Sequence, residues 1–292
     1  MGAVGVAIRP ATDDDIPSIR AILASHGNDG PIVHGDIVGP YLRHLIAHGR
    51  TLVSVGDDEG EGTEVIVGFA ATIDTGRGWH LADLFVRVDR LGQGIGRPLL
   101  EAVFDGAVER STFASDDPRA LPVYVRAGMT PLWPSLYVEG TAAQLAASSA
   151  AAGPETEAAT HDQLADIERA WTGHDRRLDH AFWASQVDAD PFTVVDAGEV
   201  VACGYARARQ ASAVRVLDRL VVHPEADPVA ATFAALRRAA RGGPVFICVQ
   251  GPSPVLRPLL EAGFRVADRD TYLASRDDLF DPTRLIPNPG MR

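Results

Sequence analysis

Three glycines alternate with other residues where a strand pattern gives way to a helical pattern. Residues 85–103 read FVRVDRLGQGIGRPLLEAV, with Gly92, Gly94 and Gly96 between the two patterns. Glycine adopts positive φ readily and lets the backbone approach a ligand closely. The N-terminus of a helix offers unpaired N–H groups and a partial positive charge, which suit a phosphate. The turn therefore predicts a phosphate-binding site, with a purely structural turn as the alternative.

A second alternative is the dinucleotide fingerprint G-x-G-x-x-G. The sequence over 92–97 is Gly-Gln-Gly-Ile-Gly-Arg, so arginine stands where the last glycine is required. The surrounding elements also lack the βαβ alternation of that fold. Both observations disfavour a dinucleotide site.

The composition excludes several kinds of chemistry. The chain of 292 residues has a formal net charge of −12, and all 27 of its basic residues are arginine. Without lysine there can be no Walker A motif, no Schiff base and no lysine nucleophile. An acidic chain argues against nucleic acid as a partner and is compatible with a cationic substrate, although simple solubility explains the charge equally well.

Location and cysteine usage are predicted from short patterns. No apolar run approaches the length of a membrane span, so we expect no membrane association. Residues 1–15 lack a charged leader followed by an apolar core, which predicts a cytoplasmic protein without a secretory signal. Cys203 and Cys248 lie in apolar, strand-like runs and are expected to be small buried side chains rather than a disulfide.

The chain repeats itself at a nearly constant offset of 135 or 136 residues. The matching pairs are Gly68 with Gly204, Asp83 with Asp218, Met129 with Phe264, and Tyr137 with Tyr272. Such a repeat predicts two copies of one domain. We place them at 1–140 and 157–275, with a linker at 141–156 and a C-terminal strap at 276–292, where prolines disfavour a regular helix.

Each copy reads as strand, helices, antiparallel strands, helix, strand, helix and strand. This order predicts an α+β architecture, with a mixed, mostly antiparallel sheet flanked by helices. In the first copy we predict strands over 5–9, 51–56, 64–72, 79–87, 111–114 and 132–138, and helices over 14–25, 37–48, 97–109 and 118–127.

Residues 81–103, followed by DDPRALPVYVRAGM at 116–129, resemble the GNAT superfamily of acyl-CoA-dependent N-acyltransferases. The resemblance covers the first copy by element order and the second by the repeat, so it implies two tandem GNAT-like domains. That family carries a [Q/R]-x-x-G-x-[G/A] loop whose amides cradle the pyrophosphate of acetyl-CoA. Leu91 replaces the expected Gln or Arg, and Arg97 could supply a charge from the next position. The resemblance assigns co-substrate contacts to Phe85, Val86, Val88, Leu91, Gly92, Gln93, Gly94, Ile95, Gly96, Arg97, Asp117 and Tyr124.

The resemblance also implies direct attack of an amine on the acyl thioester. The thioester oxygen would be bound by backbone N–H groups near Phe85 and Val86 on a splayed fourth strand. Tyr124 falls at the position of the family's tyrosine, which protonates the leaving thiolate. Asp117 stands in place of the asparagine that contacts the pantetheine arm.

Two residues of the fourth strand are candidates for the general base. Asp83 and His80 lie three residues apart, so a regular strand points them to opposite faces unless a bulge intervenes. Asp83 is repeated as Asp218, which favours a structural role, whereas His80 lies at the start of the strand and could be solvated. A chain of waters is an equally open alternative.

The early helical region of the first copy would line the acceptor site if the resemblance holds. His34, His44 or Tyr41 could then contact the substrate. His44 and His48 have i, i+4 spacing on a predicted helix, but nothing nearby completes a ligand set, so we expect no metal.

The second copy lacks the glycine turn and the tyrosine of the first copy. The turn at 91–96 maps onto a stretch without glycine, in which Pro228 has no N–H and Asp227 would repel a phosphate. Tyr124 maps onto Leu259. We therefore expect a degenerate domain that binds no CoA and that covers the first sheet or helps to build the acceptor pocket.

The segment 172–183, TGHDRRLDHAFW, belongs to the second copy and is dense in charged and aromatic residues. It could be a solvated helix with Phe182 and Trp183 in the core, or a patch that faces the other domain or the substrate.

The sequence thus predicts an N-acetyltransferase that moves an acetyl group from acetyl-CoA to a primary amine of a small molecule. The alternative is a non-catalytic module for CoA binding, sensing or protein interaction. A monomer or a homodimer fits either prediction.

Overall fold

The computed structural model describes residues 7–27, 36–57, 64–148, 153–209 and 214–291. The strands are β1 (Ala7–Pro10), β2 (Arg50–Asp57), β3 (Glu64–Asp74), β4 (Trp79–Val86), β5 (Arg110–Ala114), β6 (Thr130–Thr141), β7 (Glu155–Ala158), β8 (Asp190–Asp196), β9 (Glu199–Ala208), β10 (Arg215–Val222), β11 (Pro244–Gln250), β12 (Arg265–Ala274) and β13 (Leu285–Ile286). The helices are α1 (Ile16–Ser25), α2 (Val38–His48), α3 (Gly96–Val103), α4 (Ala120–Arg126), α5 (Ala142–Ala147), α6 (His161–Thr172), α7 (Arg177–Ala184), α8 (Pro228–Ala240) and α9 (Leu256–Glu261). No helix within these ranges is both long enough and apolar enough to cross a membrane.

The strands described above form one continuous sheet. Its order is β1-β2-β3-β4-β5-β12-β6-β11-β10-β9-β8-β7, and β13 pairs with β10 beside that path. Only β4 with β5 and β10 with β11 pair in parallel. The predicted α+β class, with a mixed and mostly antiparallel sheet flanked by helices, is confirmed.

The two halves exchange their last strands. β12, which ends the second repeat, pairs with β5 and so lies inside the first half, where Tyr272 faces Phe113. β6, which ends the first repeat, pairs with β11 in the second half, where Val138 faces Ile247. The exchanged strands also pair with each other, from Arg265 opposite Glu139 onward. The two halves therefore share one continuous sheet instead of forming two separate sheets joined by the predicted linker.

A shared core joins the two halves where α2, α7 and the end of the chain meet. Leu45, Trp183, Tyr205 and Met291 are buried together there. Met291 belongs to the predicted strap, which contains the short strand β13 and is otherwise irregular. Burying such apolar side chains contributes roughly 1.5–3 kcal/mol each, so the contact between the halves is part of the folded core.

All four helices predicted for the first copy differ from the structure at one or both ends. The helix predicted over 97–109 ends at Val103, because Gly106 adopts a positive φ of 72° and turns the chain. The helix predicted from residue 14 begins at Ile16. Before it, Asp15 accepts the backbone N–H of Thr12 at 2.8 Å and shapes a short 3-10 turn.

Candidate functional site

The glycine turn has the backbone that a ligand cradle requires. Gly92 and Gly94 have φ of 76° and 83°, values that favour glycine, and a Cβ at either position would meet no atom within 4 Å. Ile95 between the last two glycines is only 3% exposed and anchors the turn in the core. Gly96 is the first residue of α3. The turn thus combines a fixed side chain with open backbone on its outer side.

The N–H groups of 94–97, at the end of this turn, donate to no backbone acceptor in the described part of the chain. These are the groups that a helix N-terminus offers to an anion. Arg97 binds Glu101 at 2.8 Å and is highly exposed, whereas Gln93 donates weakly to the carbonyl of Asp89. The donors of 94–97 belong to the backbone, so Leu91 in place of the expected polar residue removes none of them.

The strands β4 and β5 separate beside the turn. Their pairing ends at Leu81 opposite Thr112, so the β5-facing edge of 82–86 has no strand neighbour among the described residues. Arg87 donates to Val67 on β3 at 2.8 Å. Because backbone groups alternate between the two sides of a strand, Val86 faces the gap between β4 and β5.

This register corrects one expectation. Because Arg87 directs its N–H to β3, Phe85 two residues before it also directs its N–H toward β3, away from the gap, and cannot bind a thioester there. Val86, and Leu84 two residues before it, are the positions of β4 whose backbone groups face the gap. Val88, half exposed, lies beyond the strand in a short 3-10 turn.

A residue that the sequence analysis missed occupies the gap. His26, at the end of α1, donates from Nε2 to the carbonyl oxygen of Val86 at 2.8 Å. Its ring also packs against Phe85, with centroids 5.3 Å apart. The only sequence signal for His26 is its position after a predicted helix on the acceptor side. Its hydrogen bond to the carbonyl of Val86, far along the chain, could not be predicted from the sequence.

Tyr124 lies on α4 and is 7% exposed. Its pKa is raised well above the usual value, first because it is buried and then because of the charges of Asp83, Asp117 and Asp270. The phenol therefore stays protonated near neutral pH and can donate a hydrogen bond. Asp270 belongs to the exchanged strand β12, so the second half contributes to the surroundings of this tyrosine.

Asp83 has the environment of a titrating base. Its Oδ2 accepts a hydrogen bond from the hydroxyl of Tyr41 at 2.9 Å. Burial raises the pKa of Asp83 to about 6, and the bond from Tyr41 opposes that rise. By contrast, Asp218 in the second half is held by Arg207 at 2.8 Å and by Asn288 at 3.0 Å. The repeated aspartate is therefore structural in the second half, while Asp83 contacts no arginine within the described ranges.

A bulge brings His80 to the same face as Asp83. The register of β3 and β4 shifts at Ala82, which offsets the three-residue spacing. His80 is fully buried, in contrast to the solvated position that its place at the strand start suggested. Its Nε2 donates to the carbonyl of Pro289 at 3.0 Å, and its Nδ1 lies 3.1 Å from the Ser111 hydroxyl. Both nitrogens are engaged, which leaves Asp83 as the better candidate base.

The remaining predicted residues serve local or interdomain contacts. Asp117 binds the backbone N–H of Arg119 at 2.8 Å and also its guanidinium group, which lowers the pKa of Asp117. His44 binds Asp179 of α7 at 2.7 Å and stacks on Phe182, so it joins the two halves rather than lining an acceptor site. The segment 172–183 is thus an interdomain patch.

Two further expectations concern histidine. His34 lies outside the described residues. Within the described ranges, no three His, Cys, Asp or Glu side chains come together as a metal site.

In the second half, other groups occupy the positions that correspond to the anion cradle and to the open gap. The side chain of Asp227 accepts the N–H of Val229 at 2.8 Å and so caps α8, which begins at Pro228. The short strand β13 pairs with β10 in the gap beside β11, with Leu285 opposite Val221. A carboxylate and a segment of chain thus occupy the places of the anion cradle and the open gap.

A splayed parallel strand pair, a glycine turn at a helix N-terminus and a buried tyrosine are the features that the resemblance to the GNAT acetyltransferases implied. Residues 41–144 match the family model described as an acetyltransferase (GNAT) domain. The resemblance stated from the sequence is confirmed.

Solved structures share the fold over nearly the whole chain. A putative acetyltransferase from Pyrococcus horikoshii has a TM-score of 0.72 at 15% identity, covering 99% of this chain and 96% of its own. A tandem GNAT protein from the clavulanic acid biosynthesis pathway has a TM-score of 0.60 at 14% identity, covering 92% and 98%. A GCN5-related N-acetyltransferase from Anabaena variabilis has a TM-score of 0.60 at 12% identity, covering 92% and 72%. No curated protein matches the chain.

Proposed function

We propose that the protein transfers an acetyl group from acetyl-CoA to a primary amine of a small molecule, and that the reaction takes place in the first half. The observation that carries the proposal is the convergence of three features on one gap. The glycine turn lies at its mouth, the backbone of Val86 lines it, and Tyr124 lies within electrostatic reach of Asp83 beside it.

In this proposal the chain's own groups perform three tasks. Amides of 94–97 bind the pyrophosphate of acetyl-CoA, as the open helix N-terminus favours. Asp83, with its pKa near 6, takes a proton from the substrate ammonium directly or through water. The amine nitrogen bonds to the carbonyl carbon, the carbon–sulfur bond breaks, and Tyr124 donates its proton to the leaving thiolate. The second proton of the nitrogen then passes to the Tyr124 phenolate, directly or through water, which restores the phenol.

The acidic character of the protein supports an amine substrate. The net charge of −12 draws cations toward the molecule by long-range attraction. Asp270 and Asp83 place carboxylates near Tyr124. A positively charged amine would be attracted to this region before it loses a proton, which favours a small cationic acceptor over nucleic acid.

Two observations favour the second candidate function, a non-catalytic CoA-binding module. His26 already occupies the carbonyl of Val86, and Asp117 is committed to Arg119. A binding module would retain the glycine cradle and lack turnover. Release of free thiol on mixing acetyl-CoA with a panel of primary amines separates an enzyme from a binder.

Calorimetric titration with acetyl-CoA tests the site itself. We expect one site per chain, abolished by Gly94→Pro, because proline cannot adopt the positive φ of 83°. Gly106→Pro is the matched control, since Gly106 also has positive φ and an open Cβ position but lies after α3. Two sites per chain would mean that the second half is not degenerate. Absence of binding would exclude the acetyltransferase.

A further inference from the structure

A cavity of about 230 Å³ lies between the two halves, away from the glycine turn. Its walls come from the β3–β4 turn with Arg77, the end of α6 with Trp171, the end of β10 with Arg219, and the strap with Arg284. Ligand pockets for larger molecules span roughly 300–1,000 Å³, so this cavity suits a small molecule.

The floor of the cavity is a buried charged network. Arg219 and Glu168 form a bidentate ion pair at 2.6 and 2.8 Å, and both side chains are about 4% exposed. His180 also binds Glu168 at 3.0 Å. The Nε of Arg219 is buried and has no hydrogen-bond acceptor in the described part of the chain. A buried donor of this kind costs free energy, because it has lost water without gaining a partner.

Among the described residues, neither of two arginines at the rim forms an ion pair with a carboxylate. Arg77 donates to the main-chain carbonyl of Asp278 at 3.2 Å. Arg284 donates to the carbonyls of His223 and Ala226 at 2.7 and 2.9 Å. Carbonyl partners leave the full charge of each guanidinium in place. The described lining holds four arginines, Arg77, Arg176, Arg219 and Arg284, against two carboxylates, Glu168 and Asp281, so it carries excess positive charge within a chain whose net charge is −12.

Apolar side chains form part of the remaining lining, which also includes the polar residues Thr75, Thr172, His174, Arg176 and Asp281. Trp171, Val221 and Leu285 line the cavity together with an aromatic residue of the strap, Phe280. An inorganic anion would gain nothing from these side chains, whereas an organic anion would bury its carbon atoms against them. The lining thus matches a molecule with one acidic end and a small apolar body.

The cavity lies beside the second half's counterpart of the first half's gap. Arg219 pairs with Tyr205 next to Gly204, as Phe85 pairs with Phe69 next to Gly68. An arginine therefore stands at the position of Phe85, while β13 fills the part of the gap that faces β11. The space left open is the end nearest α6, which corresponds to α1.

We propose that this cavity is a second ligand site, selective for a small organic carboxylate with an apolar body. The site is independent of the proposed acetyl transfer. The guanidinium groups of Arg77 and Arg284 bind the carboxylate, and Trp171 and Leu285 contact the apolar part.

Calorimetry with phenylacetate and isovalerate, without acetyl-CoA, tests the proposal on the full chain. We expect one site with a dissociation constant on the order of 1 mM or tighter. Phenylacetamide, the neutral analogue, and inorganic phosphate should each bind at least tenfold more weakly. Saturation with acetyl-CoA should leave carboxylate binding unchanged.

The variant Arg77→Gln locates the site, because Arg77 is exposed and its loss leaves the buried network intact. We expect its affinity for phenylacetate to fall at least fivefold. Arg257→Gln is the matched control, since Arg257 is an exposed arginine of the second half that pairs only with Glu261 among the described residues. No binding of either carboxylate, equal binding of the amide or of phosphate, or an unchanged Arg77→Gln variant would each overturn the proposal.

Discussion

The hydroxyl of Tyr41 donates to the Oδ2 of Asp83 at 2.9 Å and lies 3.5 Å from the carbonyl oxygen of Gly290. This one hydroxyl links a helix of the first half, the candidate base and the end of the chain. A hydrogen bond to an ionised carboxylate favours the charged form, so Tyr41 limits how far burial raises the pKa of Asp83.

The pH dependence of turnover should report this link. If deprotonated Asp83 is the base, kcat/KM rises with pH through a midpoint near 6. Tyr41→Phe removes the opposing hydrogen bond, so the midpoint should move to higher pH by roughly half a pH unit or more. Tyr205→Phe, which alters a tyrosine bonded to His180 in the second half, is the control and should leave the profile unchanged. An unshifted profile in Tyr41→Phe would remove Asp83 from the titration.

Replacing Asp83 should stabilise the fold while it removes activity. The folded-state pKa of about 6 lies above the ordinary value of 3.8, so the native state holds its proton more tightly than the unfolded state. Stability therefore falls as pH rises from about 4 to 6, and the cost persists above that window, roughly 2–3 kcal/mol.

Thermal unfolding at pH 4 and pH 8 tests that sign. We expect Asp83→Asn to raise Tm at pH 8 by several degrees and to have little effect at pH 4. Asp218→Asn, which breaks the contact with Arg207, should lower Tm instead. A lower Tm for Asp83→Asn at pH 8 would contradict the argument.

Tyr124→Phe separates proton donation from packing. The change removes only the hydroxyl of a side chain that is 7% exposed, so the core stays filled. We expect the calorimetric affinity for acetyl-CoA to be retained and kcat to fall roughly tenfold or more. Tyr272→Phe, at a fully buried tyrosine of β12, is the matched control. A kcat equal to that of the unmodified protein would exclude Tyr124 from the reaction.

His26→Ala should free a backbone acceptor in the gap. In the structure the imidazole holds the Val86 carbonyl, and that bond must break before a ligand uses the same oxygen. Removing a competing hydrogen bond worth roughly 0.5–1.5 kcal/mol should tighten acetyl-CoA binding by about threefold to tenfold. His48→Ala, at an exposed histidine of α2, should bind as before. Weaker binding by His26→Ala would instead mean that His26 contacts acetyl-CoA itself.

The first half alone should not fold as a stable monomer. A fragment ending at residue 148 lacks β12, so the edges of β5 and β6 are exposed. Unpaired sheet edges bind other chains. We expect the fragment to aggregate or to self-associate by size-exclusion chromatography, and the remaining residues, added as a second fragment, to restore a one-to-one complex. A monomeric fragment with a native-like circular dichroism spectrum would contradict this expectation.

Local patterns in the sequence predicted the elements and the glycine turn well. Alternating and helical periods depend on neighbouring residues, so β3 and α2 were placed within two residues of their observed ends. The turn was recognisable because positive φ at Gly92 and Gly94 requires glycine. The repeat was also recognisable from the sequence, because short stretches of the two copies can be compared directly.

Long-range pairing was not predictable in this way. β6 and β12 carry similar patterns, and nothing local tells which of them pairs with β5. The bulge at Ala82, which turns His80 toward the strap, depends on the register with β3. The bond between His26 and Val86 joins residues far apart in the sequence. These features arise from tertiary packing, which local patterns in one sequence do not reveal.

The exchange of strands also sets an order of events during protein synthesis. β5 leaves the ribosome long before β12, the strand that must pair with it, has been made. At typical rates of elongation this interval is on the order of ten seconds. Throughout that time the nascent first half has an open edge, so it can complete its sheet only after β12 of the second half has also been made.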